Sequence, residues 1–403
     1  MLNNKHILLG VSGGIAAYKV VQLARNLALA GALVDVVMTA EATKFITPLT
    51  FQALTHRRVW TDMWEMADDS DISHVALGDR ADLIVIAPAT AHTLARLAAG
   101  WSDDLLATSV LASRAPIVLC PAMNVQMWAN AATQDNLATL RRRGMHVIPP
   151  GEGRMAEPMS GVGRLAEIEQ IEAEIRARLG KANGALRGKR VVITAGGTHE
   201  PLDPVRFIGN RSSGAMGYAL AAAARDAGAD VTLISGPATV AEPRAVTLVR
   251  VESAQDMHDA VHAAVNAGCD ILIMAAAVAD YTPESVADNK IKKTASDGNT
   301  LTLHLRQTTD ILGSLAQHNG FIKVGFAAET TDIEHYALDK LARKNLDLIV
   351  ANDARTALGA ADNAVTVYAA DGRTWQIERQ PKPAIAQHIL AIIQTFITTN
   401  EPS

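Results

Sequence analysis

HILLGVSGGIAAYKVVQLARNLALAGALVDVVM, residues His6–Met38, decides the architecture of the first half of the chain. His6–Val11 is an apolar run too short for a core helix, and it ends on a glycine-rich turn. Ile15–Ala30 then repeats its apolar residues at helical spacing, and Leu33–Met38 is a second short apolar run. Strand, glycine turn, helix, strand is the building unit of a parallel sheet covered by helices. Leu83–Ala87 and Ile117–Cys120 repeat the buried-strand pattern, and Val147-Ile148-Pro149-Pro150 closes another strand. An open, doubly wound α/β sheet is expected.

Glu167–Leu179 predicts a charged helix ending near Gly180, and Lys181–Lys189 (KANGALRGK) is polar, glycine-containing and without periodicity. A domain boundary is placed there: residues 1–183, a linker over 184–189, and residues 190–403. A second α/β unit starts at Val191-Val192-Ile193-Thr194, with its own glycine turn, helix and a strand at Asp230–Ser235. Strands are also predicted at Ile271–Met274, Ile322–Phe326 and Leu346–Val350, followed by a hairpin of Val365–Tyr368 and Thr374–Ile377 around Asp371-Gly372. The halves share a fold class without a detectable repeat.

The bulk numbers agree. A chain of 403 residues is too long for one ordinary core and suits two domains of about 180 to 210 residues. Hydrophobic content is 49 % but aromatic content only 4 %, so the cores must be built of Ala, Val, Leu and Ile. With 37 basic against 42 acidic residues there is no broad cationic surface, which argues against nucleic acid as a partner. No signal region precedes the first strand, and no apolar run approaches the ~18 residues a membrane span requires. Cys120 and Cys269 are the only cysteines and lack metal-ligand spacing; they suit a reducing cytoplasm, not a disulfide framework or a zinc site.

Chemistry-bearing residues fall in two groups. In the first half, Gly10-Val11-Ser12-Gly13-Gly14-Ile15-Ala16-Ala17 sits where a strand becomes a helix, and amides at such a turn favour a phosphate. A tight turn of an α/β sheet gives the same pattern. Pro88-Ala89-Thr90 and Pro121-Ala122-Met123-Asn124 each follow a predicted strand, at the sheet edge where such folds bind ligands. His74 lies in Asp71-Ile72-Ser73-His74, before an apolar helix-like segment, where a surface histidine is the plainer reading.

On these motifs residues 1–180 resemble the flavin-dependent cysteine decarboxylases, which act on peptidyl or pantothenoyl cysteine. The resemblance implies a flavodoxin-like fold with FMN across the strand ends, contacted by Ser12, Gly13, Gly14, Thr39, Pro88, Ala89, Thr90 and Met123. It makes His74 the base and Asn124 the holder of the substrate carboxylate. The chemistry implied is oxidation at the carbon bearing sulfur, loss of CO₂ from the resulting thioaldehyde, and saturation of the enethiol. One departure stands out: where the pantothenoyl branch carries a cysteine in a glycine-rich flap, this chain has Glu157, within Gly153–Arg164. A carboxyl there would serve as proton donor if its pKa is raised by closure.

In the second half, Thr194-Ala195-Gly196-Gly197-Thr198 is another anion-friendly turn, and Ser212, Ser213 and Gly214 precede a helix expected over Ala215–Ala227. An ordinary serine N-cap would read the same way. Asn210-Arg211-Ser212-Ser213-Gly214, Ala275-Ala276-Ala277-Val278-Ala279-Asp280, Lys290-Ile291-Lys292-Lys293, Gly325-Phe326-Ala327-Ala328-Glu329 and Lys344-Asn345-Leu346-Asp347 together resemble phosphopantothenate–cysteine ligases. With both halves in this order the chain is similar to the bacterial bifunctional decarboxylase/ligases of coenzyme A synthesis.

That resemblance implies CTP as co-substrate, contacted by Ser212, Ser213, Gly214, Ala275, Ala276, Ala277, Asp280, Lys290, Thr309, Asp310, Ile311, Leu312, Phe326, Lys340 and Lys344. Asp280 would help hold Mg²⁺, Asn210 would bind the acyl-cytidylate, and Lys290 would neutralise charge during transfer to cysteine. Thr308-Thr309-Asp310 departs from relatives that have a proline before the aspartate. The partners implied are 4′-phosphopantothenate, cysteine and CTP, in a homo-oligomer of decarboxylase trimers and ligase dimers forming a dodecamer. The alternatives are an active ligase whose other half stops at the enethiol, or one whose other half is a non-catalytic flavin-binding or oligomerisation module. A dinucleotide oxidoreductase is disfavoured because neither turn has GxGxxG spacing.

Overall fold

The computed structural model describes residues 2–64, 73–154, 160–292, 301–357 and 360–400. The chain divides into two compact units, Met1–Leu179 and Gly180–Ser403.

In the first unit β1 (His6–Val11), β2 (Leu33–Met38), β3 (Val59–Trp60), β4 (Leu83–Ala89), β5 (Ile117–Pro121) and β6 (His146–Val147) form one parallel sheet in the order 3-2-1-4-5-6. Successive side chains of a strand point to opposite faces, and two cores result. Ile7, Leu9, Val34, Val36, Leu83 and Val85 pack with Val20, Leu23, Leu27, Ile171 and Ile175 on one face. Leu8, Val37, Ile84, Ile86 and Leu119 pack with Leu77, Leu94, Leu106 and Leu137 on the other. Helices thus cover both faces, which is why the central strands are apolar throughout. After β6 the chain makes an antiparallel ribbon of β7 (Gly151–Arg154) and β8 (Ser160–Arg164).

Two helix boundaries here differ from expectation. The first helix runs Ala17–Leu29, starting later than Ile15, because Gly14 and Ala16 accept the amides of Ala17 and Lys19 in tight turns before the helix settles. The charged helix spans Ile168–Asn183 and does not stop at Gly180. A Cβ on Gly180 would run into the Asp226 carbonyl and stand 2.9 Å from the Gly228 nitrogen. That glycine allows a close approach and is not a terminator.

The second unit carries β9 (Arg190–Ala195), β10 (His199–Pro201), β11 (Phe207–Gly209), β12 (Asp230–Ser235), β13 (Thr247–Arg250), β14 (Ile271–Met274), β15 (Tyr281–Pro283), β16 (Leu305–Gln307), β17 (Ile322–Glu329), β18 (Leu348–Asp353), β19 (Asp362–Ala369) and β20 (Thr374–Pro381). Its sheet has the order 13-12-9-14-17-18-19-20, parallel through β18 and antiparallel across the last two pairs. β10 pairs with β11, and β15 with β16, as antiparallel ribbons. β18 begins later than Leu346, because Leu346 donates its amide to Leu341 and helps close the helix Ile333–Arg343. Among the described residues no helix is long and apolar enough to cross a membrane.

Candidate functional site

At the carboxyl edge of the first sheet, Ser12 joins two strands. Its hydroxyl donates to the Pro88 carbonyl at 2.6 Å and accepts the Thr90 amide at 3.1 Å. Thr90 in turn caps the helix Ala91–Ala99 by accepting the Thr93 amide at 3.3 Å, a standard use of a short polar side chain at a helix start. Thr39, buried at the end of β2, donates its amide to the Val11 carbonyl at 3.0 Å. Gly13 packs against Glu41: a Cβ there would collide with the Glu41 Cβ and stand 2.9 Å from its carbonyl carbon. Among the described residues the amides of Gly13, Gly14 and Ile15 donate to no acceptor. Three such donors before a helix make a cradle for a phosphate.

The second motif reaches the same edge through the Ala122 amide, which donates to the Ala89 carbonyl at 3.2 Å. Met123 donates its amide to Gly163 of β8 at 2.9 Å, and a Cβ on Gly161 would press on Val125 at 3.0 Å, so the ribbon lies over this turn. Asn124 caps the next short helix, its Oδ1 accepting the Gln126 amide at 2.8 Å. His74 opens the helix Ser73–Arg80, and its Nδ1 is buried with no hydrogen-bond partner among the described residues. That helix runs into the start of β4, so its first turn lies toward the strands' carboxyl edge. Glu157 lies outside the described residues.

In the second unit the loop after β14 is sewn to the turn after β9. Ala276 donates its amide to Thr194 Oγ1 at 3.1 Å, Ala277 to the Gly196 carbonyl at 2.8 Å, and Ala279 to Thr198 Oγ1 at 2.9 Å. Asn210 reaches the same loop, its Nδ2 donating to the carbonyls of Ala277 and Val278 at 3.3 and 3.1 Å. The helix that follows spans Ala215–Asp226, and its N-cap is Gly214, at φ +77°. Ser212 and Ser213 instead accept the amides of Gly214 and Ala215.

Asp280 is exposed at the loop's end. Thr308 fixes it from the other side, donating its amide to the Asp280 carbonyl at 3.0 Å and its hydroxyl to Ala279 at 2.7 Å. Lys340 Nζ donates to the Phe326 carbonyl at 2.8 Å. Burial pulls the Lys340 ammonium below the usual lysine range, and Glu329 and Asp280 pull back the other way, which puts Asp280 within electrostatic reach of Lys340. Lys344 forms an ion pair with Asp310, whose Oδ1 accepts the Gly313 amide at the start of the short helix Ile311–Ser314. Lys290 is exposed; Lys293 lies outside the described residues.

Residues 1–180 match the family model described as Flavoprotein, and residues 186–397 match DFP, the DNA/pantothenate metabolism flavoprotein C-terminal domain. The chain is 48 % identical over 396 residues to the coenzyme A biosynthesis bifunctional protein CoaBC of Bacillus subtilis (strain 168), with 97 % of each covered. The chain belongs to this bifunctional coenzyme A biosynthesis family. A crystal structure of a C-terminal domain of such a protein shares 42 % identity over 54 % of this chain and all of that one, with a TM-score of 0.47. A crystal structure of the FMN-dependent cysteine decarboxylase SpaF shares 32 % identity over 45 % of this chain and 99 % of that one, with a TM-score of 0.40.

Thr198 and Thr308 fall inside segments quoted from the sequence, but their part in holding the loop that carries Ala277 and Asp280 was not legible there. Asp203 and Arg206, just upstream of the Asn210 motif, had no role in that reading. Their signal was a carboxylate three residues before an arginine in a turn, a pattern common enough to carry no site on its own.

Proposed function

We propose that this chain makes 4′-phosphopantetheine in two steps, ligating cysteine to 4′-phosphopantothenate at the expense of CTP and then decarboxylating the product. What carries the reading is that both strand-edge sites occur in one chain that matches a bifunctional relative over 97 % of its length.

For the ligase, a carboxylate is a poor electrophile and must become an acyl-cytidylate before cysteine can attack. Lys340 and Lys344 supply positive charge to the triphosphate, and Phe326 packs against the nucleotide. Asp280 is a single exposed carboxylate, and no cluster of three metal-ligating side chains exists among the described residues. That donor set fits Mg²⁺, which keeps most of its waters and leans on substrate phosphates. Asn210, pinned to the Ala277 loop, positions the acyl intermediate, and Lys290 neutralises charge as cysteine displaces the nucleotide.

For the decarboxylase, FMN fits the first edge: three amides with no acceptor among the described residues would hold its phosphate, and Ser12, Thr39 and Thr90 would line its site. When bound, FMN supplies the reversible two-electron oxidation at the carbon bearing sulfur that lets the carboxylate leave as CO₂. His74, whose Nδ1 is buried and has no partner among the described residues, would move the proton. Asn124, whose Oδ1 accepts the Gln126 amide, would hold the substrate carboxylate. Glu157, outside the described residues, or another group would donate the proton of the last step. The active enzyme is a homo-oligomer.

Mass spectrometry of the thiol formed from 4′-phosphopantothenate, cysteine, CTP and Mg²⁺ by FMN-loaded protein tests the whole reading. Phosphopantetheine is expected. Accumulated phosphopantothenoylcysteine, or the enethiol alone, keeps the ligase and removes the complete decarboxylase.

A further inference from the structure

Lys290 is exposed on an irregular segment, yet a transfer residue must be held to a fraction of an ångström. The structure supplies a fixing device one residue away. Asp203 is 3 % exposed. Its carboxylate accepts from the Val205 amide at 2.8 Å, the Arg206 amide at 2.9 Å, the Arg206 Nε and Nη2 at 2.9 and 2.5 Å, and the Ile291 amide at 3.1 Å. Arg206 Nη2 also donates to the Ile291 carbonyl at 2.6 Å. Both polar backbone groups of Ile291 are therefore gripped by one Asp–Arg pair. The Ala287 amide donates to the Leu202 carbonyl at 3.0 Å, so the segment is tied to the same turn on both sides of Lys290.

That turn leads directly through β11 to Asn210, itself bonded to the carbonyls of Ala277 and Val278. We infer that Asp203 is a positioning residue for transfer to cysteine: through Arg206 and Ile291 it sets Lys290 in register with Asn210 and the Ala277 loop. The inference rests on the reading of Lys290 given above. Burial alone would push the Asp203 carboxyl up, but the Arg206 guanidinium and the surrounding amides outweigh it and hold it well below the usual range. The clamp therefore stays ionised at any pH at which the enzyme works. An asparagine would turn either an NH₂ or a single carbonyl toward a cage built only of N–H donors.

The test compares Asp203→Asn, Lys290→Gln and the double variant in the full-length protein, reading the half-reactions separately. Pyrophosphate release from CTP and 4′-phosphopantothenate without cysteine reports activation; amide formation on adding cysteine reports transfer. Asp203→Asn is expected to keep activation within about twofold and slow transfer by roughly 10- to 100-fold, the scale of a misplaced reacting group. The double variant is expected to be no slower in transfer than Lys290→Gln. Normal transfer in Asp203→Asn beside slow transfer in Lys290→Gln overturns the clamp and leaves Lys290 in place. Normal transfer in Lys290→Gln removes Lys290 itself, and the clamp with it. Equal losses in both half-reactions reduce Asp203 to general support of the fold and also overturn the inference. Hydrogen exchange on the unmodified protein decides the matter if the variant does not fold: the Ile291 amide must exchange more slowly than those of Lys290 and Lys292, and equal rates overturn the clamp.

Discussion

Glycine at position 13 is defined by what a methyl group would strike. The contact is with the Glu41 Cβ and backbone, which cannot swing aside as a flexible side-chain tip would. Gly13→Ala must push the phosphate turn outward, at about 1–3 kcal/mol by analogy with overpacked cores. FMN affinity is expected to fall by one to two orders of magnitude, which a fluorescence titration reads directly; unchanged affinity would place the phosphate elsewhere. Asp203 carries a pH signature. Its folded-state pKa lies below the unfolded one, so its contribution to stability is complete above the ordinary aspartate value near ~4 and is lost as pH falls further toward the depressed folded value. Thermal melts stepped from pH 5 to pH 2 are expected to fall less steeply for Asp203→Asn than for the unmodified protein. Parallel slopes would mean the carboxylate is not caged.

Elements show the same economy of space. Gly217 lets the helix Ala215–Asp226 lie on β9: a Cβ there would stand 2.5 Å from the Ala195 Cβ and 2.9 Å from the Thr194 carbonyl. Gly217→Ala is expected to lift the serine-flanked helix start off the sheet and destabilise the second unit by about 1–3 kcal/mol, seen as a lower denaturation midpoint. Ser253 and Asp256 form a reciprocal cap on the helix Ala254–Ala267, with bonds of 3.1 and 2.9 Å, and buried Glu200 accepts the Ala254 amide. Ser253→Ala should cost about 0.5–2 kcal/mol, checked by the same denaturation.

Strands such as β1, β2, β12 and β14 were legible because a short apolar run between turn residues has few other uses. The end of the charged helix was not, because a glycine that permits close approach and one that stops a helix look alike in sequence. The strand-edge motifs stood out in the sequence, while the Asp203 bond to Ile291 did not, since its two ends lie 88 residues apart.

At the scale of the molecule, two units with separate cores predict separable activities. His74→Asn is expected to abolish CO₂ release while leaving amide formation intact, and Lys290→Gln should do the reverse when phosphopantothenoylcysteine is supplied. Linkage makes a matching prediction, since saturating FMN at about 100 times its Kd should stabilise the unit that binds it by ~2.7 kcal/mol. The calorimetric transition of the second unit should stay where it was. One further property concerns sulfur. Cys120 and Cys269 are both buried, and burial raises both thiols, Cys269 to about 11. A catalyst that takes up cysteine and releases a thiol thus buries both of its own cysteines. Alkylating reagents, oxidants and small disulfides would consume the metabolites and spare the protein, so the enzyme cannot be captured in a mixed disulfide with the compounds it makes.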